Sequence, residues 1–181
     1  VSVAAVREQI ARFYRGVLNG VSVVEHGGPF NAEELKRVGA SAPAVIVTCL
    51  GVSGFSVQGT EVVGNAQWAA FIVTRGDARE RRDAQALRLC EAVAVEAPFQ
   101  VWDGSALKAP TDLNATNLYS SAIDALGLSL WAVRWSQLVQ LDRNIEIDSD
   151  DLNTVHNEYE ITAGTANDEP PLEDEAHLEG P

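Results

Sequence analysis

The acidic residues of this chain are distributed so that only part of it can build a core. Of its 26 Asp and Glu, 13 lie in residues 142–181 beside a single Arg, Arg143; residues 1–141 hold the other 13 against 12 Lys and Arg. Almost all of the net charge of −13 therefore sits after Leu141. A segment with that charge and few clustered apolar residues cannot bury enough surface to offset the entropy of ordering it. Two regions are expected: an α+β domain over 1–141, and an acidic C-terminal extension over 142–181 that is ordered only on assembly. If the extension docks on a partner, Leu152, Val155, Tyr159 and Ile161 are its expected anchors.

The first region has the apolar content for a core; the whole chain is 46% apolar, and 141 residues suffice for one domain. No run of about 18 apolar residues marks a membrane span. The stretch "VSVAAVREQIARFY" has no basic segment leading into an apolar one, so it does not read as a signal peptide. Synthesis in the cytoplasm is the expectation. The near balance of charge over 1–141 argues against general binding of nucleic acid, which needs a basic surface.

Val3, Val6, Ile10, Phe13 and Val17 recur at helical spacing and predict a helix over about 3–18, ended by Asn19-Gly20. "VSVVEH" reads as a short extended piece. "NAEELKRVG" reads as a small helix with Asn31 as N-cap and Gly39 as its stop. After Pro43, "AVIVTCLGV" is rich in β-formers and predicts a central strand. "SGFSVQGTEVVGNAQWAAFIVTRG" reads as strand, turn, strand. Asp77 is the expected cap of a second long helix, "ARERRDAQALRLCEAVAVEA", with one apolar stripe of Ala84, Leu87, Cys90 and Ala94 and another of Ala86, Leu89 and Val93. "PFQVWDGSALKAPTDLNA" looks irregular. "TNLYSSAIDALGLSLWAVRWSQLVQL" reads as two strands joined near Asp124–Gly127. The order predicts an antiparallel or mixed sheet with helices on one face.

In the last of these strands alternation puts Trp131, Val133, Trp135 and Val139 on one face and Leu128, Leu130 and Ala132 on the other. The two Trp read as sheet core under the helices, with a subunit contact as the alternative.

The chain shows no constellation for chemistry. It has no nucleophile elbow, phosphate loop or dinucleotide fingerprint. His26, His156 and His177 are scattered, and Cys49 and Cys90 lie in apolar runs as expected of buried, reduced thiols. No catalytic residue, cofactor or metal is assigned, and the chain reads as a non-enzyme. Its one unusual cluster is "RGDARERRDAQ". Arg75, Arg79, Arg81 and Arg82 gather at a helix start, where cations oppose the helix dipole. Either Asp77, Glu80 and Asp83 offset them in a solvated first turn, or they form a patch for an acidic partner surface.

Three segments, in order, carry a resemblance. "FNAEELKRVGASAPAVIVTCLG", then "WAAFIVTRG" with "RRDAQALRLCEAV", then "ATNLYSSAIDALGLSLWAVRW" are similar to the Mu-like phage tail protein family (the gp-thirty-seven-like family) over about residues 3–140. The resemblance implies a tail terminator or tail completion protein of a long-tailed phage. It implies a curved, mainly antiparallel sheet with two long helices packed on it. It further implies a homo-oligomeric ring, typically a hexamer, at the head-proximal end of the tail. The ring would contact the tail tube protein and the neck or connector protein, with genome DNA passing through and no sequence-specific nucleic-acid contact. A location in the virion, after assembly in the host cytoplasm, follows from the same resemblance. Another neck or baseplate adaptor is the alternative within that class; a small-molecule-binding or enzymatic α+β domain is the alternative outside it. The acidic extension is not part of the family's pattern.

Overall fold

The computed structural model describes residues 2–28, 32–77, 80–142, 155–157 and 174–176. They fall into two units, Val1–Arg143 and Asn144–Pro181.

The first unit is an α+β fold on a five-stranded mixed sheet of order β1-β2-β3-β5-β4. Its strands are β1 (Ser22–His26), β2 (Ala44–Gln58), β3 (Glu61–Thr74), β4 (Thr111–Asn117) and β5 (Ser129–Leu141). β1 and β2 are parallel, and every other pair is antiparallel. The helices are α1 (Val3–Val17), α2 (Ala32–Ala40), α3 (Arg82–Glu96) and α4 (Ser121–Ala125). In the second unit Val155–Asn157 (β6) pairs antiparallel with Asp174–Ala176 (β7).

α1 forms where its spacing predicts. Ser2 caps it, its side chain accepting from the Ala5 N–H at 3.1 Å. Its buried face is Val6, Ile10, Ala11 and Tyr14, while Val17 emerges into solvent. α3 starts later than expected. Asp77 does not cap it: its Oδ1 accepts from the Glu80 N–H at 3.0 Å, its own N–H donates to the Glu80 carbonyl at 2.9 Å, and that closed turn delays the helix to Arg82. The delay also moves the apolar stripe. Ala86, Leu89, Cys90 and Val93 are buried, whereas Ala84 and Leu87 are exposed.

The main core lies between α1, α3 and one sheet face. Val45 and Val47 of β2, Trp68, Ala70 and Ile72 of β3, and Val133, Trp135 and Val139 of β5 belong to it, with Trp131 packed alongside half-buried. Register explains the grouping: Trp68 pairs with Trp135, Ala70 with Val133 and Ile72 with Trp131. Alternation then sends all six side chains the same way. The expected role of the Trp pair as sheet core thus describes their place.

Helices on one face alone was the wrong expectation. α2 and α4 contribute to a second core on the opposite face, where Leu35, Ile46, Val73, Leu128 and Leu130 are buried with Val38, Phe71, Leu118, Ile123 and Leu126 against them. That packing also explains why Gly39 lies within α2 instead of stopping it. A Cβ there would fall 2.8 Å from Leu128 Cδ1, so glycine permits the close approach of helix and sheet.

Before its joint near Asp124–Gly127, the segment read as two strands contains only Thr116 and Asn117 of strand, the last residues of β4. Ser120 accepts from the Ile123 N–H at 3.3 Å and starts α4, so Ser121–Ala125 is helical. The rest of β4 lies inside the stretch read as irregular, and all but one of the strand's residues are exposed. Main-chain bonds to β5 hold it, so no apolar alternation announces it.

Candidate functional site

The Arg cluster lines an open groove of about 650 Å³ at one end of the sheet, between the β3–α3 junction, the end of β4, α4 and the start of β5. Arg75, Arg81 and Arg82 contribute from the junction, Asn117 and Tyr119 from the end of β4, and Asp124 from α4, over an apolar floor of Ile123, Leu128 and Leu130. Thr74 ties the junction together, its hydroxyl donating to the Arg82 carbonyl at 2.6 Å.

Most of this positive charge is matched within the chain. Arg81 makes a bidentate contact to Asp83, at 3.2 and 3.1 Å. Arg82 reaches across the groove to Asp124. Glu80 pairs outward with Arg88 at 2.6 Å. Slight desolvation pushes the Asp83 carboxyl up, but main-chain N–H groups at the helix start and the Arg81 guanidinium outweigh it, and its pKa is lowered. Such exposed pairs contribute little to stability; their effect here is to spend Arg81 and Arg82 on neighbours. Among the described residues, Arg75 is the member of the cluster with no carboxylate at ion-pair distance. Arg79 lies outside the described residues, as do Leu152, Tyr159 and Ile161. Val155 falls in β6.

The thiols differ from each other. Cys90 is buried as expected, and burial pushes its pKa up to about 12. Cys49 is only half-buried, at the point where β2 leaves the core; desolvation raises its pKa, against a main-chain hydrogen bond to Gly51 and the Arg7 charge, which lower it. Neither thiol is poised as a nucleophile. Among the described residues, no three His, Cys, Asp or Glu side chains gather as a metal site. Among the described residues, no helix is long and apolar enough to cross a membrane.

The features that sequence reasoning missed are contacts made at a distance. Gln137, on the Trp face of β5, is buried and reads the loop before β4. Its Nε2 donates to the carbonyls of Gln100 at 3.1 Å and Lys108 at 2.7 Å, while its Oε1 accepts from the Trp102 indole N–H. Trp102 then stacks at a tilt 5.9 Å from Trp135 and meets Phe13 edge-on at 5.7 Å. A polar residue in the middle of an apolar strand face was the available signal.

Also unpredicted is an uncovered apolar surface. Among the described residues, β2 has no strand on its outer side beyond Thr48, because β1 pairs only with Ala44–Thr48. Leu50, Phe55 and Val57 are exposed there, Phe55 by 64% and Val57 by 72%. A second exposed apolar group, Val17, Val95, Phe99 and Val101, comes from the ends of α1 and α3 and the turn that follows. No family model matches the chain, and no curated protein matches it.

Proposed function

We propose that this chain is a structural subunit of a phage tail: a tail terminator that assembles as a ring on the head-proximal end of the tail tube, stops tube growth and offers the surface that joins the neck. One observation supports this most. The three segments that resemble the Mu-like phage tail protein family fall on successive parts of one continuous sheet and its helices, α2 with β2, β3 with α3, and the end of β4 with α4 and β5. A subunit of this kind needs a rigid sheet and surfaces that meet other chains, and it needs no reacting groups. The uncovered half of β2 and the exposed ends of α1 and α3 fit that requirement, since contiguous exposed apolar patches mark interaction sites.

In this reading the partners are further copies of the chain, typically six to a ring, the tail tube protein and the neck protein. The acidic extension orders when the assembly forms, through Leu152, Val155, Tyr159 and Ile161. Arg75 remains the described member of the basic cluster offered to an acidic partner surface.

The test is to add the purified protein to growing tail tubes and image them. Tubes of limited length, each with density for the protein at one end, are expected. Tubes that grow unchecked with bare ends would reject the role. Removal of residues 148–181 is expected to leave the domain folded and to weaken assembly.

A further inference from the structure

A strand edge exposes main-chain N–H and C=O groups that pair with any extended chain, and folded proteins blunt such edges. Polar or charged side chains tie down two of this sheet's three edge segments. On β1 the Val23 carbonyl is taken by Arg15 Nε at 3.0 Å, and Arg15 and Arg7 both reach Glu25. On β4 the register breaks between Thr111 and Asn114, Asp112 adopts φ 54, and Asn114 Nδ2 folds back to donate to the Asp112 carbonyl at 3.1 Å. The third segment, Leu50–Gln58 of β2, shifts register against β3 at Cys49/Gly51 and Ser53/Ser56 but has no strand on its outer side among the described residues and no charged side chain; from Cys49 to Thr60 the chain carries no charge at all.

The face beside that edge is apolar. Val57 pairs with Val62, and Val62 with Leu141, so the three side chains lie on one face. Val52 and Phe55 join them over Gly64. A Cβ on Gly64 would lie 2.7 Å from Val52 Cγ1, 3.4 Å from Leu141 Cδ1 and 3.5 Å from Phe55 Cδ1. This is the sheet face that α1 and α3 cover further along; here Val52, Val62 and Leu141 are half-buried at the margin of that core, and Phe55 and Val57 stand exposed beyond it.

The same unit carries a recessed counterpart. Two grooves flank Val17, one of about 370 Å³ lined by Leu18, Ala92 and Val95, the other of about 440 Å³ lined by Phe13, Gly16 and Trp102. The second groove is lined by Arg12 and Asp103 and the first by Arg88, Glu91 and Glu96, so each holds both signs of charge. Neither surface carries the strong charge that would select an oppositely charged partner. Residues 1–141 are also close to neutral, so two copies of the domain do not repel each other.

We propose that the bare half of β2 docks on a second copy of this chain, with Phe55 and Val57 of one copy seated in the grooves around Val17 of the next. The two surfaces differ, so the contact is heterologous, and successive copies are related by a rotation that can close into a ring. The contact follows from the exposed surfaces alone; its closure into a ring rests on the function proposed above.

The experiment uses the full-length protein and measures its mass in solution by sedimentation velocity and native mass spectrometry. Two disrupted forms are compared, the double variant Phe55→Asp with Val57→Asp, and Val17→Asp, with Val95→Asp as a second groove-side variant should Val17→Asp not fold. Thermal melts by circular dichroism establish folding. The wild-type chain is expected to be oligomeric. Each variant is expected to weaken association by about tenfold or more, since buried aromatic anchors dominate such contacts. Mixing the arm variant with a groove variant is expected to restore a two-chain species, because one intact contact then remains. A monomeric wild-type chain would overturn the proposal. So would a groove variant that associates like the wild type, which would mean arm-to-arm pairing, or a mixture that stays monomeric. An oligomer that depends on Phe55 yet leaves tubes uncapped would keep this inference and remove the terminator role. Capping that survives the loss of Phe55 and Val57 would do the reverse.

Discussion

β2 is one strand with two characters. Its first five residues, Ala44–Thr48, are all buried, whereas none of the nine from Leu50 to Gln58 is. Both halves are rich in β-formers, and both pair with β3. They differ in what lies on either side. The first half has β1 beside it, the long helices on one face and α2 on the other. The second half has, among the described residues, β3 as its one neighbouring strand and a single side chain, Val52, packed against the core. Intrinsic preference therefore makes the strand, and neighbours decide whether a stretch of it serves stability or contact.

The sharpest way to break this comparison is to remove an anchor of the covered half. Trp135→Ala takes a fully enclosed indole from between Trp68, Trp102 and the helices, and a loss of about 3–5 kcal/mol is expected from urea unfolding. A loss below about 1 kcal/mol would mean that the Trp face is not the core.

Gln137→Ala tests whether the covered half also depends on polar closure. It strands the Trp102 N–H and frees the carbonyls of Gln100 and Lys108, and about 1–3 kcal/mol of destabilisation is expected. Trp fluorescence should shift to longer wavelength as Trp102 meets water; an unchanged spectrum with unchanged stability would show that the loop is held by other means.

The Cys90 thiol gives a pH-dependent contrast with Cys49. Burial raises its pKa to about 12, so the folded chain keeps a proton that the unfolded chain releases at lower pH. Its contribution to stability is complete below the ordinary thiol range and is lost as pH rises from there toward about 12. The urea midpoint should fall across that range, less steeply in Cys90→Ala. Alkylation of the native protein should modify the half-buried Cys49 first, and prior reaction of Cys90 would contradict the burial.

The smallest effect belongs to the bare half. Phe55→Ser should change the stability of the dissociated chain by no more than about 0.5 kcal/mol. A change comparable to that of Trp135→Ala would erase the distinction between the two halves.

How far the sequence reveals this arrangement depends on whether a residue's role is local. α1 was legible because its apolar spacing and its Asn19-Gly20 stop lie within one segment. The strand face shared by Trp131, Val133 and Trp135 was legible because alternation is a property of the strand itself. β4 was not: it is polar, exposed and held by main-chain bonds to β5, whose position no local pattern encodes. α4 was hidden in five residues, too few for periodicity to register. The Arg cluster was visible as a cluster, but the pairing of Arg82 with Asp124 spans 42 positions and exists only once the sheet has formed. The open edge of β2 is a property of β1's length, which is written elsewhere in the chain.

Gln137 holds its loop through carbonyl oxygens, a feature that every amino acid presents alike. Positions 100 and 108 are therefore fixed in space yet free in identity, and related chains are expected to keep the amide at 137 and the indole at 102 while the loop's other letters drift. The outer surface of this loop can be rewritten for a different neighbour without redrawing its path.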